Sequence, residues 1–166
     1  MKFEKFTTKS VEAISDAQNL AGHLGNPEIR PAHLLLSLLD QEGGAVPRVL
    51  NTVGANVDLI QARAAEVVDS FPKVSGGTKA SMSKGFNSAL QVAEQEARKL
   101  GDTHIAAELL LLGIVSGTSK AGQLLKDLDI QRDNLSTAIE TVRGGRKVTG
   151  EDSEAQYETL EKYTHD

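Results

Sequence analysis

The stretch Ala13-Ile14-Ser15-Asp16-Ala17-Gln18-Asn19-Leu20-Ala21-Gly22-His23-Leu24-Gly25-Asn26-Pro27-Glu28-Ile29 returns 76 positions later as Ala89-Leu90-Gln91-Val92-Ala93-Glu94-Gln95-Glu96-Ala97-Arg98-Lys99-Leu100-Gly101-Asp102-Thr103-His104-Ile105. Three alanines, a leucine, a glycine and the closing isoleucine are identical, and Ile14 and Asn26 become Leu90 and Asp102. One residue is then lost. At an offset of 75, Ala32-His33-Leu34-Leu35-Leu36 pairs with Ala107-Glu108-Leu109-Leu110-Leu111, Leu50 with Leu125 and Ile60 with Leu135. A match held at a nearly constant offset marks a tandem duplication. The unit is larger than the roughly 20–50 residues of solenoid repeats, so two copies predict a pseudo-twofold globule rather than an array.

Each copy reads as four helices. In the first, Thr7 or Thr8 is placed to cap a helix whose apolar stripe is Val11, Ile14, Ala17, Ala21 and Leu24, ended by Gly25. Pro31 suits the first turn of a second helix and Pro47 that of a third, which Gly54 stops. Asn56 opens a fourth, ending before Pro72. Residues 73–80 form a glycine-containing joint. The plan then repeats, with a cap at Ser81 or Ser83, a long helix closed by Gly101, and helices near 106–115, 121–128 and 133–143. No stretch alternates with period two, so no sheet is expected. The expected fold is all-α, two pseudo-repeated four-helix units forming one eight-helix domain. Its divisions are 1–72, the joint 73–80, 81–143, and a polar linker 144–166 in which a short helix over 153–163 is expected.

Composition narrows the function. The chain has no cysteine, which removes disulfides, thiol catalysis and thiolate metal sites and suits a reducing cytoplasm. The charged start Met1–Phe6 lacks the apolar core of a secretory signal, and the longest apolar run is far short of a membrane span. A net charge of −5, few aromatics and no basic cluster beyond 143–147 speak against a nucleic-acid partner.

Candidate chemistry is sparse. The four histidines share no metal-ligand spacing. His33 corresponds to Glu108 in the second copy, which points to a polar group tying a helix start to its neighbour. Gly76-Gly77-Thr78-Lys79 and Gly144-Gly145-Arg146-Lys147 resemble phosphate loops, but neither follows a strand and neither lysine precedes Ser or Thr. No G-x-S-x-G element is present. The expectation is a chain that catalyses nothing and holds no cofactor or metal. Asp102 and Glu108 fall near helix termini, where carboxylates act as caps, or else rim a site that orients a partner's backbone. Val92 falls beside the inward stripe of its helix, and Leu109 opens an unusually apolar one. Leftover apolar residues where two halves meet would make a groove.

Order, spacing and duplication over residues 1–143 resemble one family, the Clp N-terminal repeat domain of bacterial Clp ATPases. The resemblance rests on Phe6-Thr7-Thr8-Lys9, Pro31-Ala32-His33-Leu34-Leu35, Ala107-Glu108-Leu109-Leu110 and the two-copy layout. Val142-Arg143-Gly144-Gly145 with Leu160-Glu161-Lys162-Tyr163-Thr164 is similar to the linker of ClpB-type disaggregases, where an AAA+ module would follow. This resemblance implies a mobile module that engages unfolded or aggregated clients for a hexameric, ATP- and magnesium-dependent cytoplasmic threading machine working with the DnaK system. The isolated domain is expected to be monomeric. It implies client handling at positions matching Thr7, Asp102 and Glu108, and an apolar groove at those matching Leu90, Val92 and Leu109. The competing reading is an adaptor-docking domain of the ClpA or ClpC type, with the same fold.

Overall fold

The computed structural model describes residues 3–75, 79–154 and 157. A short 3₁₀ turn, Phe3–Lys5, leads into the four helices of the first copy: α1 (Thr8–His23), α2 (Pro31–Asp40), α3 (Ala45–Val53) and α4 (Val57–Asp69). The second copy supplies α5 (Lys84–Leu100), α6 (Ala107–Ser116), α7 (Lys120–Asp127) and α8 (Arg132–Arg143). The caps obey the repeat. Thr7 Oγ1 accepts from the Ser10 N–H at the start of α1, and 76 residues later Ser83 Oγ accepts from the Phe86 N–H at the start of α5. Pro31 is the first residue of α2, where its missing N–H costs nothing. Gly101 closes α5 in the left-handed conformation that a side chain would disfavour.

The halves do not merely abut. Strand β1 (Glu28–Ile29), in the first copy, pairs in parallel with β2 (Ser81–Met82), which leads into the second. Phe6 makes the reciprocal parallel bridge to Ile105. Phe6 and Met82 occupy equivalent positions in the repeat, as do Ile29 and Ile105, so the two pairings are related by the pseudo-twofold. These pairings correct the expectation of no sheet. Two residues per strand are too few for period-two alternation to show in the sequence.

Helix α6 is the centre of the body. Every residue from Ala107 to Val115 is buried, which explains its near-continuous apolar run. It lies against α5 so closely that a Cβ on Gly113 would stand 2.2 Å from the Ala89 carbonyl oxygen. Across the junction α3 packs on α6 and α8, while α2 and α4 pack on α7. One continuous core runs through both copies.

The segment after α8, read from the sequence as a polar linker, packs on the body over its described residues. Gly144 and Gly145 both take left-handed backbone and turn the chain back onto the body. Val148, Ser153, Glu154 and Tyr157 are buried there. The helix expected over 153–163 falls largely outside the described residues, as do residues 76–78 of the joint.

Candidate substrate-binding surface

The duplication makes the polar centre of the second copy readable by comparison with the first. In the first copy, His33 Nδ1 accepts from the Arg30 N–H at 2.9 Å, and His33 Nε2 lies 2.9 Å from Asn26 Oδ1. The backbone bond makes Nδ1 the acceptor and leaves Nε2 to donate. Burial drives the His33 pKa down to about 4, so the ring is neutral. His33 is therefore a structural tie between loop and helix.

At the equivalent places stand Asp102 and Glu108, two acids that cannot pair with each other. Arg143 joins them. Its Nε donates to Glu108 Oε2 at 2.9 Å, and its Nη1 donates to Asp102 Oδ1 and Oδ2 at 3.1 and 2.9 Å. The position matching Arg143 in the first copy is Val68, also buried. Burial opposes the charge on Arg143, but the carboxylates around it, Glu108 foremost, hold its pKa above the usual guanidinium value. The sequence placed Arg143 at the start of the linker rather than in the site. Its signal was present: a buried neutral pair replaced by two acids requires a cation.

The returning segment completes this cluster. Glu154 Oε2 accepts from the Thr7 hydroxyl at 2.9 Å and from the Ala107 N–H, at the start of α6, at 3.1 Å. Burial first, and the nearby Glu108 charge second, raise the Glu154 pKa to about 7. Tyr157 is likewise pushed up by burial and by Glu108. Asp102 and Glu108 thus meet on Arg143, while Thr7 joins Glu154 in an adjoining cluster that neighbours Glu108 and Tyr157.

Beside this network runs an open groove of about 420 Å³ between the end of α5, α6, α8 and the returning chain. Leu100, Leu109, Leu112 and Ile139 form its apolar lining, Glu96 and Glu140 line it with acid, and Arg146 and Lys147 close one side. Glu96 is ion-paired to Arg132 and Lys99.

The predicted apolar trio is not an exposed surface. Leu90 has no solvent exposure and is a core residue of the α5–α6 packing, which corrects its placement in a groove. Leu109 lies beneath the groove, also without exposure. Val92 is partly exposed on α5 and does not line the groove. Helical periodicity already set Val92 beside the inward stripe of α5, but it could not settle Leu109, because α6 presents core on every side. Among the described residues no cluster of His, Asp or Glu could hold a metal ion, and no helix is long and apolar enough to cross a membrane.

The family profile of the Clp repeat N-terminal domain matches residues 5–128. This chain belongs to the Clp repeat N-terminal domain family. As a Clp N-domain it is 42% identical over 164 residues to the chaperone protein ClpB of Corynebacterium efficiens, covering 96% of this chain and 19% of that protein. It is 35% identical over 167 residues to ClpB of Vibrio vulnificus, covering 100% and 20%. The chain therefore spans about a fifth of the length of the curated relatives it matches. Among solved structures, the Hsp104 N-terminal domain from Candida albicans superposes with a TM-score of 0.80 over 91% of this chain and 99% of that one, at 16% identity. A ClpV N-domain in complex with a VipB peptide gives 0.68 over 89% and 92%, at 20% identity. At those identities the likeness is one of fold. Clp N-domains are binding modules rather than catalytic ones.

Proposed function

We propose that this Clp N-domain is the substrate-binding module of an ATP-dependent protein disaggregase. In this reading it takes exposed apolar segments of unfolded or aggregated proteins and passes them to the pore of a hexamer that works with the DnaK system. The observation that carries it is the groove of about 420 Å³, with an apolar floor between charged walls of both signs, on a domain 42% identical to a ClpB chaperone. That the same fold in ClpV has been seen with a peptide supports a peptide-sized occupant.

The energetics suit a feeder. Burying one client side chain contributes roughly 1.5–3 kcal/mol. Association costs several kcal/mol at least, so a single domain binds in about the micromolar to millimolar range. Six tethered copies raise the effective concentration without making any one grip too tight to release. ATP and magnesium belong to the ATPase modules of the whole protein.

An NMR titration with a permanently unfolded client tests the reading. Shifts should concentrate on groove residues such as Leu100, Ser136 and Glu140. Ser136→Trp, which fills the groove from its partly exposed side, should weaken binding by roughly tenfold, the worth of one lost apolar contact. Full binding by a folded Ser136→Trp protein would remove the groove from consideration. Selective binding of a folded adaptor, with none of the unfolded client, would favour the adaptor-docking reading.

A further inference from the structure

The returning segment sits on the body as a bound peptide would. The Val148 N–H donates to Asp102 Oδ1 at 3.0 Å, and its carbonyl accepts from the Thr103 N–H at 2.8 Å. Both backbone groups of one residue are thereby read without regard to its side chain. The side chain itself enters a small apolar socket with Ala45 and Ala106, shared with Tyr157 and separate from the main core. The preceding Lys147 lies over the end of α5, its Nζ 3.1 Å from where a Cβ on Gly101 would stand. The carbonyls of a helix C-terminus favour a cation at that place. Arg146 and Lys147 together form the basic side of a groove whose other charged lining includes Glu96 and Glu140.

The segment is also built to leave. At its base Gly144 caps α8 and Gly145 follows it, both in the left-handed backbone that glycine adopts without strain. Its socket can empty without opening the main core. Arg143 Nη2 and Glu154 Oε1 are buried in or against it without a hydrogen-bond partner among the described residues. Burying polar atoms unsatisfied offsets part of what the strap's other hydrogen bonds contribute.

We propose that Arg146-Lys147-Val148 is a resident pseudosubstrate. It fills in cis a site for extended polypeptide segments in which one or two basic residues adjoin an aliphatic one, and a client of that class binds by displacing it. The proposal rests on the client-binding reading above and adds a substrate class and a built-in competitor to it. Departure of the strap takes Arg146 and Lys147 away from the groove and leaves Glu96, Glu140, Asp102 and Glu108, with Arg143 between the last two and Arg132 and Lys99 on Glu96, so that Glu140 is the acid outside these ion pairs. The vacated face then selects for positive charge. Where a competent state is populated only in part, apparent affinity falls by that fraction, so a strap docked about nine-tenths of the time weakens client binding about tenfold.

The test compares three forms of the chain in fluorescence-anisotropy titrations. The probes are a labelled peptide of the strap's own sequence, residues 144–154, and the same peptide with glutamate at both basic positions. Val148→Asp expels the strap and should bind the basic peptide about tenfold more tightly than the parent chain, with no gain for the acidic one. The second form, Thr8→Cys with Glu151→Cys, uses the 2.9 Å backbone bond from the Thr8 N–H to the Glu151 carbonyl to lock the strap down. It is clean because the chain has no other cysteine. Oxidised, it should bind the basic peptide several-fold more weakly than the parent, and reductant should restore binding even if Val148→Asp fails to fold. Equal affinity of free, locked and parent forms overturns the proposal, as does equal binding of the acidic peptide. An unfolded client bound equally by all three forms would leave the binding module standing and sink only the pseudosubstrate. Absence of binding to any polypeptide by any form sinks both.

Discussion

Arg143→Val makes the second copy carry what the first already has at Val68, and its consequence can be worked from the geometry. The side chains of Arg143, Asp102 and Glu108 are 5%, 0% and 1% exposed, with contacts of 2.9–3.1 Å. Two carboxylates would be left buried with no cation between them. Removing one partner from a buried ionic group typically costs about 3–5 kcal/mol, because the stranded charge keeps its desolvation penalty. That is a large part of the roughly 5–15 kcal/mol that holds a domain folded. For a chain of this size each kcal/mol moves Tm by about 2–4 °C, so a fall of roughly 6–20 °C is expected. Urea and thermal unfolding followed by circular dichroism at pH 7 read it directly. The decisive comparison is the triple variant Asp102→Asn, Glu108→His, Arg143→Val, which installs the neutral trio of Asn26, His33 and Val68. It should recover at least half of the loss, because the stranded charges are gone. A single variant within about 0.5 kcal/mol of the parent would refute the reasoning, since that is the range of a surface substitution. A triple variant no better than the single would assign the loss to packing of the arginine stem instead.

Gly113→Ala should destabilise the fold by roughly 1–3 kcal/mol or more in urea titrations, despite alanine's better helix propensity, because α5 and α6 must separate to admit a methyl group. His33 contributes stability that is full above pH 6.5 and lost as pH falls towards 4, since the unfolded chain takes up the proton first. His33→Gln should flatten unfolding free energy against pH in that window. Glu154 works in the opposite sense: its docked carboxyl, buried beside Glu108 and Tyr157 and bonded by Thr7 and the Ala107 N–H, holds its proton up to about pH 7. Docking is therefore favoured below the free value of about 4.5 and weakens as pH rises from there to 7. Hydrogen exchange of the Thr103 and Val148 amides should accelerate over that range beyond the intrinsic rate, and Glu154→Gln should abolish the excess. Leu109→Asp should cost about 3 kcal/mol or more and lose helicity by circular dichroism, whereas Val92→Asp should leave the fold intact.

The duplication, the eight helices and some of their caps were legible from residue order alone, because they depend on local rules. Alanine and leucine at helical spacing, Thr7 and Ser83 before a helix, and Gly101 after one each act within a few residues. Repeat arithmetic even placed Asp102 and Glu108 opposite Asn26 and His33. Three-dimensional packing decided what these positions face. Leu90 and Leu109 lie on stripes that periodicity marks as apolar, but which stripe is roofed depends on neighbours distant in sequence, and α6 is roofed all round. The bridge from Arg143 joins residues 35 and 41 positions away, and the hydrogen bond from Thr7 to Glu154 spans 147. No local preference encodes such pairings; they exist because burial leaves each charge only those partners that folding brings within reach. The polar run after Gly145 has too few apolar residues to build a core of its own, and Val148 and Tyr157 are buried only because the two halves present them with a socket.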